Sequence, residues 1–156
     1  MSARRVPFDA PSPVERVFNR LFGVLVGLGL GLPHNYLLEV RGRRSGRRYS
    51  TPVDVLSHDG KRFLVAGRGE TQWVRNARVS GEVTLRRGGR RAVCRLRAVP
   101  DDAKPEILKA YVDRFRLTVQ RYFPVAAGSP AREFAPLAGR YPVFELIPGE
   151  PATGPG

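Results

Sequence analysis

The chain has 156 residues, enough for one domain that buries a hydrophobic core without metal or disulfide support. Its single cysteine, Cys94, excludes an internal disulfide, and one cysteine with two histidines is too small a set for a structural zinc site. The net charge of +13 is concentrated between residues 41 and 97, where 15 arginines and one lysine face four carboxylates. This excess of positive charge does not exclude any class of protein function. It favours an anionic partner, which could be nucleic acid, a membrane surface or a polyanionic small molecule.

The first predicted element is an N-terminal helix that follows a flexible, proline-marked segment, residues 1–12. Ser12 and Pro13 form a typical helix start, and apolar residues then recur every three or four positions. This stripe indicates packing on the domain, with peripheral membrane contact left open. The apolar run 21–32 lacks a cleavage site and is shorter than the roughly 20 residues that span a bilayer. We therefore predict a cytoplasmic protein, with membrane association left open.

The hydrophobic period changes to two at Asn35, which indicates β-strands. We predict strands over residues 36–40, 49–57 and 62–67, and the turn 58–60 joins the last two. Because the connections are short, we expect these strands to form an antiparallel meander.

The second half of the chain continues with helices and strands. Thr71 is predicted to cap a short helix that Gly81 closes, and two further strands pair around Gly88 and Gly89. The predicted elements are a helix over 72–79, strands over 82–87 and 91–99, a long helix from 101 to about 123, a last strand over 141–147 and a disordered tail over 148–156.

The order of these elements predicts an α+β fold with one domain over residues 13–147. Helix, strands, short helix, strands, long helix and strand do not alternate as parallel βαβ units do. We therefore expect an antiparallel sheet that curls into a small barrel, with an N-terminal helix and a long helix before the last strand.

The most informative motif is the run 42–52, GRRSGRRYSTP, a glycine-rich and arginine-dense turn between two strands. Its backbone N–H groups and guanidinium groups suit one phosphate or a similar anion. The run lacks the Lys-[Ser/Thr] ending of a P-loop and no helix follows it, so it is a poor fit to a nucleoside triphosphate site. The alternative interpretation is an exposed basic turn without a ligand.

Reactive side chains are few in this chain. His34 lies beside a proline and His58 lies in a turn, so neither predicts a Ser-His-Asp assembly. No paired carboxylates are evident, and no catalytic residue or metal ligand is predicted. A phosphate-like site with few reactive groups indicates that a bound cofactor performs the chemistry and the protein orients it.

Four segments together resemble one enzyme family: the run 42–52, Val65 with Ala66, residues 73–77 (WVRNA) and residues 141–144 (YPVF). They are similar to the deazaflavin-dependent nitroreductases, also called F420H2-dependent quinone reductases, within the split β-barrel flavin and deazaflavin oxidoreductases. The resemblance extends over about residues 15–147. It implies an antiparallel, FMN-binding-like split β-barrel that binds coenzyme F420 and transfers a hydride to a quinone, a nitro compound or another electron-poor acceptor. FMN is the alternative cofactor.

The resemblance also implies a cofactor site by motif position. Arg44, Ser45 and Gly46 would face the cofactor phosphate, and Thr51 and Pro52 would lie along the deazaflavin. Arg48 would compensate for Tyr49, which stands where relatives often have a second basic residue, and Arg68 would replace an anion contact from a longer loop. The remaining implied contacts are Ala66, Trp73 and Asn76.

Two other functional classes remain as alternatives. The first is a non-catalytic split-barrel protein that binds a flavin, haem or a hydrophobic ligand in the same groove. The second is nucleic-acid binding, which we do not expect because the chain lacks the interleaved aromatic and basic residues of an RNA-binding sheet and shows no helix-turn-helix. The expected partner is a small-molecule electron acceptor, and the oligomeric state is left open.

Overall fold

The computed structural model describes residues 34–149. The predicted N-terminal helix and residues 150–156 of the predicted tail lie outside the described residues. The described elements are β1 (Asn35–Arg41), β2 (Arg48–Asp54), β3 (Leu56–His58), β4 (Lys61–Val65), α1 (Gln72–Ser80), β5 (Glu82–Arg87), β6 (Arg90–Ala98), α2 (Lys104–Val119) and β7 (Val143–Pro148). Three 3-10 segments accompany them, at Asp101–Ala103, Gln120–Tyr122 and Ala131–Arg140.

The seven strands form one antiparallel sheet in the order β2-β1-β5-β6-β7-β4-β3. β2 and β3 lie at opposite edges of this sheet, although only Val55 separates them in the chain. The sheet must therefore curl until its two edges approach each other. The Val55 N–H donates a hydrogen bond to the His34 carbonyl oxygen at 2.9 Å, which fixes the bend. The predicted antiparallel α+β architecture is confirmed.

Both hairpins of the predicted meander are present, because β1 pairs with β2 and β3 pairs with β4, but the meander is divided at Val55. β4 pairs with β7, with Leu64 opposite Phe144, and has no ladder with β2. The predicted strand over 49–57 is two strands that bend apart at Val55 and join opposite edges. Alternation along a segment identifies a strand and its buried face, but it carries no information about which strand pairs with it.

The ends of the helices follow from local chemistry. α1 closes at Gly81, whose φ of 74° is the left-handed conformation that glycine adopts most readily. α2 kinks at Phe115, with φ −114° and ψ 25°, and the Thr118 hydroxyl donates to the Phe115 carbonyl at 3.1 Å. The kink turns the segment after α2 back toward β2. α2 itself ends at Val119, about four residues before the predicted end.

Three clusters of apolar side chains form the core of the described residues, and the smallest contains Ala66, Val74 and Phe144. The largest one joins α2 to β3, β4, β7 and the 3-10 segment 131–140, and Leu108 and Phe134 within it have no exposed surface. The second joins β1, β5, β6 and α1 around Leu38 and Ala77. Cys94 is buried in the second cluster, and burial raises the pKa of its thiol although Arg62 opposes the shift. Such a thiol is a packing residue.

The last strand extends slightly further than predicted. β7 runs to Pro148, and the Gly149 N–H donates to the Val93 carbonyl oxygen at 2.9 Å, so the first two residues of the predicted tail are held by β6. Between residues 34 and 149, none of the helices combines the length and the apolar character needed to cross a bilayer.

Candidate functional site

A groove of about 1510 Å³ runs along β2. Among the described strands, β2 has a neighbour on one side only, so no described strand uses the backbone groups of its other edge. The turn 42–47, the start of α1 and the residues 116–122 after the α2 kink form the other walls. The groove therefore has a backbone edge on one side and side chains from three separate segments on the others.

Nine of the eleven residues implied by the resemblance line this groove: Arg44, Ser45, Tyr49, Thr51, Pro52, Ala66, Arg68, Trp73 and Asn76. Gly46 and Arg48 do not. Gly46 has a φ of 72° and donates its N–H to the Gly42 carbonyl oxygen, so its role is in the turn. Arg48 Nη1 lies 3.6 Å from a carboxylate oxygen of Glu39, outside the groove. The expectation that Arg48 supplies a cation in place of Tyr49 stays a prediction.

The turn between β1 and β2 is closed by its own backbone and by Tyr49. The Gly42 N–H donates to the Arg47 carbonyl oxygen at 2.7 Å. A Cβ on Gly42 would lie 2.6 Å from the Tyr49 ring, which shows how closely the ring covers the backbone there. The Ser45 hydroxyl accepts the Arg47 N–H at 3.2 Å. The turn thus has a defined shape, and a side chain at position 42 would displace the Tyr49 ring.

Asn76 connects this turn to α1. Its side chain is buried, and its Oδ1 accepts the Arg43 backbone N–H at 3.1 Å and the Arg43 Nη1 at 2.8 Å. Arg43 Nη1 also donates to Gln72 Oε1 at 3.0 Å. Asn76 therefore positions the arginine-rich turn against the helix. Asn76 acts through its hydrogen bonds to Arg43, a residue that sequence reasoning left out of the site.

Arg68 contacts Tyr122 on the opposite wall. Its Nε and Nη2 donate to the Tyr122 hydroxyl at 3.2 and 2.9 Å, and Arg121 Nη2 donates to the same oxygen at 2.6 Å. Both guanidinium groups also lie over the Tyr122 ring, 5.2 and 4.8 Å from its centroid. Sequence reasoning missed Tyr122, because only the kink in α2 brings this segment to the groove.

Trp73 lies between the core and the groove. Its ring is half-buried and makes an edge-to-face contact with Phe144, with 6.3 Å between the ring centroids. It also lines the groove beside Ala66, which is buried. The two interpretations of Trp73, a core anchor and a wall of the site, therefore both hold.

The groove is cationic and its cations are not neutralised. It is lined by six arginines: Arg43, Arg44, Arg68, Arg75, Arg116 and Arg121. Within the described part of the chain, none of them has a carboxylate oxygen within 4.0 Å. The hydrogen bonds that Arg43, Arg68 and Arg121 make go to neutral amide and phenol oxygens. Such a concentration of cations attracts anions.

Thr71 adds a second polar feature at the start of α1. Its Oγ1 is buried and has no hydrogen-bond partner among residues 34–149, although its position is that of the helix N-cap. Buried hydroxyls are normally hydrogen-bonded, so an unpartnered one calls for an explanation. The first N–H groups of a helix also have no partner within the helix and favour anions. Thr71 lines the groove, so this buried hydroxyl lies at its wall.

The other end of the groove has a cluster that sequence reasoning missed. His34 Nε2 lies 3.5 Å from Asp54 Oδ1, and Asn35 Nδ2 donates to the same oxygen at 2.5 Å. Burial raises the pKa of the Asp54 carboxyl, although His34 and the Asn35 hydrogen bond oppose the shift. Burial also raises the pKa of the nearby Tyr111 phenol far above its ordinary value. The antiparallel pairing of Asn35 with Asp54 is the feature that could have indicated this cluster.

Comparison with protein families gives a match over most of the chain. The profile of the F420H(2)-dependent quinone reductase family covers residues 14–123 of this chain. Comparison with curated protein sequences gives no significant match.

Solved structures show the same fold at low sequence identity. An F420-H2 dependent reductase, FDR-A, superposes with a TM-score of 0.50 and 17% identity over 73% of this chain and 94% of the other. HutZ, the haem storage protein of Vibrio cholerae, gives a TM-score of 0.54 and 11% identity over 76% and 83%. An FAD-binding protein of Mesorhizobium loti gives 0.50 and 12% over 83% and 89%. The predicted split β-barrel is therefore confirmed.

Proposed function

The chain belongs to the F420H2-dependent quinone reductase family, and from this premise we propose that it reduces a quinone with a hydride from reduced coenzyme F420. Membership confirms the resemblance found in the sequence, makes the protein an F420-dependent oxidoreductase and identifies coenzyme F420 as its cofactor. A quinone is the acceptor that the family supports. Nitro compounds and other electron-poor acceptors remain predictions.

The proposal rests on the positive charge of the groove, which no carboxylate of the described residues neutralises. Coenzyme F420 has a phosphodiester and a glutamate tail, so it is an anion attached to a planar ring system. Six arginines without carboxylate partners and an unpartnered Thr71 hydroxyl are the groups that such an anion would satisfy. The residues present therefore fit the cofactor.

The groove suggests a division of binding roles. Arg43, Arg44 and the backbone of the turn would hold the phosphate, because the turn has a defined shape and neither arginine is paired with a carboxylate of residues 34–149. The edge of β2 at Thr51 and Pro52 would lie beside the ring, with backbone groups available for hydrogen bonds.

When bound, the reduced cofactor supplies the hydride. The residues of this chain bind and orient it, so proximity rather than covalent catalysis accelerates the reaction. The acceptor would occupy the groove beside the ring, where the wall formed by residues 116–122 is opposite β2. The arrangement needs no nucleophile, and the few reactive side chains of the chain are consistent with this.

Arg44→Ala tests the proposal, with Arg48→Ala as its matched control. Both changes remove one arginine from the same hairpin, but Arg44 lines the groove and Arg48 interacts with Glu39 outside it. Loss of one charged hydrogen bond, about 1.5–3 kcal/mol, corresponds to about 10- to 100-fold weaker binding. We expect that loss of F420 affinity in Arg44→Ala only, measured by cofactor fluorescence at fixed salt concentration.

The same titration separates the alternatives. FMN binding more tightly than F420 would support the flavin alternative. An apolar ligand or haem that binds equally well to wild type and Arg44→Ala, with no binding of F420, would support a non-catalytic carrier. Wild-type protein that is folded but neither binds F420 nor reduces a quinone with F420H2 would refute the proposal.

A further inference from the structure

His34 and Asp54 lie at the end of the groove farthest from the arginine-rich turn. In the β1–β2 hairpin, Arg41 faces Arg48 beside the turn, and Asn35 faces Asp54 at the open end. Six residue steps of about 3.3 Å separate these two ends, a distance of about 20 Å. A phosphate held at the turn would leave the middle and the open end of β2 for the ring and the acceptor. The only described carboxylate that lines the groove, Asp54, is therefore at the acceptor end.

The imidazole is held in one orientation. Its Nε2 faces Asp54 Oδ1 at 3.5 Å, and the Asn35 hydrogen bond at 2.5 Å fixes that oxygen. The Phe115 ring lies 4.7 Å from the imidazole centroid, and the Val55 N–H holds the His34 backbone. The side chain is still 24% exposed, so it reaches both the groove and solvent. A carboxylate beside an imidazole orients the ring, as in other acid–base sites.

We propose that His34, oriented by Asp54, protonates the acceptor during its reduction; this rests on the proposed function. A quinone that receives a hydride gains two electrons and one proton, and its hydroquinone requires one proton more. Because Nε2 faces Asp54, Nδ1 supplies this proton. The Nδ1–H bond breaks, an O–H bond forms on the quinone oxygen, and the neutral imidazole takes a proton back from solvent.

Tyr111 is the competing donor in this cluster. Its phenol is buried, and burial raises its pKa far above the ordinary value, so it holds its proton throughout the neutral range. The charged groups around the cluster are Asp54 on β2, Arg116 on α2 and Arg87 on β5, whose Nη1 donates to the Asn35 carbonyl oxygen at 2.8 Å. An imidazole changes charge between about pH 5 and 8, whereas a phenol with a raised pKa does not. The pH dependence of the rate therefore distinguishes the two donors.

The kinetic test uses both histidines of the chain. His58 also lies near a carboxylate, with Nε2 3.4 Å from Asp59 Oδ2, but it is the last residue of β3 and is not among the residues that line the groove. We expect kcat of wild type and His58→Gln to fall as the pH rises from 5 to 9. In His34→Gln we expect kcat to be about 100-fold lower at pH 6 and nearly independent of pH. F420 affinity should stay within about twofold, since His34 is far from the turn.

A second readout uses the protein without cofactor. The ring resonances of His34 and His58 are followed by NMR during addition of a water-soluble benzoquinone. The quinone should perturb the His34 resonances and leave those of His58 unchanged, and Asp54→Asn, which removes the carboxylate beside the His34 ring, should weaken the perturbation of His34.

The outcomes separate the two proposals. If wild type neither binds F420 nor reduces the quinone, the proposed function fails. If wild type is active and His34→Gln keeps its rate and pH profile, the function stands and the role of His34 is refuted. A loss of rate in Tyr111→Phe while His34→Gln remains active would assign the proton to Tyr111 instead.

Discussion

Arginines outside and inside the groove differ in whether a carboxylate lies beside them. Outside the groove, the buried carboxylate of Glu39 lies 2.6 Å from Arg91 and 3.6 Å from both Arg48 and Arg86. We call these four residues the Glu39 cluster. In the groove, six arginines have no carboxylate within 4.0 Å in the described part of the chain. The cluster stabilises the sheet, whereas the groove arginines repel one another until an anion binds. Pairing, and not charge density, therefore distinguishes a structural surface from a binding site.

A carboxylate outside the groove and a carboxylate inside it also differ in the direction of their pKa shifts. Desolvation acts to raise the pKa of Glu145, but contacts with Arg97 and Lys61 more than offset it and hold the pKa below its ordinary value. In the groove, desolvation of Asp54 outweighs its contacts with His34 and Asn35 and raises the pKa. Glu145, outside the groove, is thus stabilised in its charged form, and Asp54, in the groove, is not.

The largest expected effect is loss of the Glu39 carboxylate. Glu39→Gln leaves three arginines close together without their shared anion, so we expect a loss of about 2 kcal/mol in the free energy of unfolding, measured with urea. F420 affinity should not change. Glu70→Gln is the control, because it removes an exposed pair with Arg78 that contributes at most about 1 kcal/mol. Equal losses of unfolding free energy in Glu39→Gln and Glu70→Gln would contradict the structural role assigned to the Glu39 cluster.

Adding a carboxylate to the groove should have the opposite effect. Gln72 already accepts a hydrogen bond from Arg43, so Gln72→Glu creates an ion pair near the start of α1. We expect the free energy of unfolding to rise by about 0.5 kcal/mol and F420 affinity to fall about tenfold, because the new anion competes with the cofactor. Val79→Glu adds the same charge to an exposed position of α1 outside the groove. If Val79→Glu weakens F420 binding as much as Gln72→Glu does, the loss of affinity comes from the change in net charge only.

The unpartnered hydroxyl of Thr71 allows a third test. Thr71→Val preserves the shape of the side chain and removes the buried polar atom, so we expect the cofactor-free protein to be stabilised by about 1 kcal/mol in thermal unfolding. F420 should bind a few-fold more weakly. In Thr118→Val, where the hydroxyl is bonded to Phe115, no stabilisation is expected. A loss of about 1 kcal/mol in Thr71→Val would show that the residue acts as an ordinary helix cap.

The smallest effects are those of pH. Because the pKa of Asp54 is raised on folding, its contribution to stability is present below about pH 4 and is lost as the pH rises through the folded value. Asp54→Asn should therefore be more stable than wild type at pH 7, and the difference should shrink in acid. The pKa of Glu145 is lowered, so Glu145→Gln should be less stable at pH 7 and should approach wild type as the pH falls. Urea unfolding at pH 3 and 7 measures both, and shifts of the same sign would contradict the comparison.

Sequence reasoning located most of the elements because their determinants are local. The strand over 82–87 and the α1 stop at Gly81 follow from alternation and from a glycine with positive φ. The bend at Val55 was not predicted, since whether two segments form one strand or two depends on partners that are distant in sequence. The cofactor motif was identified for the same local reason, and most of its residues line one groove.

The residues that were missed share one property: their neighbours are distant in the chain. Tyr122 reaches the groove only because α2 kinks, and it contacts Arg68 across 54 positions. His34 meets Asp54 only through the register of the hairpin. No composition or spacing within a short window reports such contacts.

The sequence by itself determined the element types, the excess of arginine and the phosphate-like turn, because periodicity, capping and turn chemistry act within a few residues. Only the tertiary structure decided which arginines are neutralised and which face a groove. Whether Arg48 meets Glu39 while Arg44 meets no carboxylate depends on strand register and sheet curvature. Ion pairs require charged atoms within about 4 Å of each other, so they are sensitive to that geometry. The sequence does not encode this geometry locally.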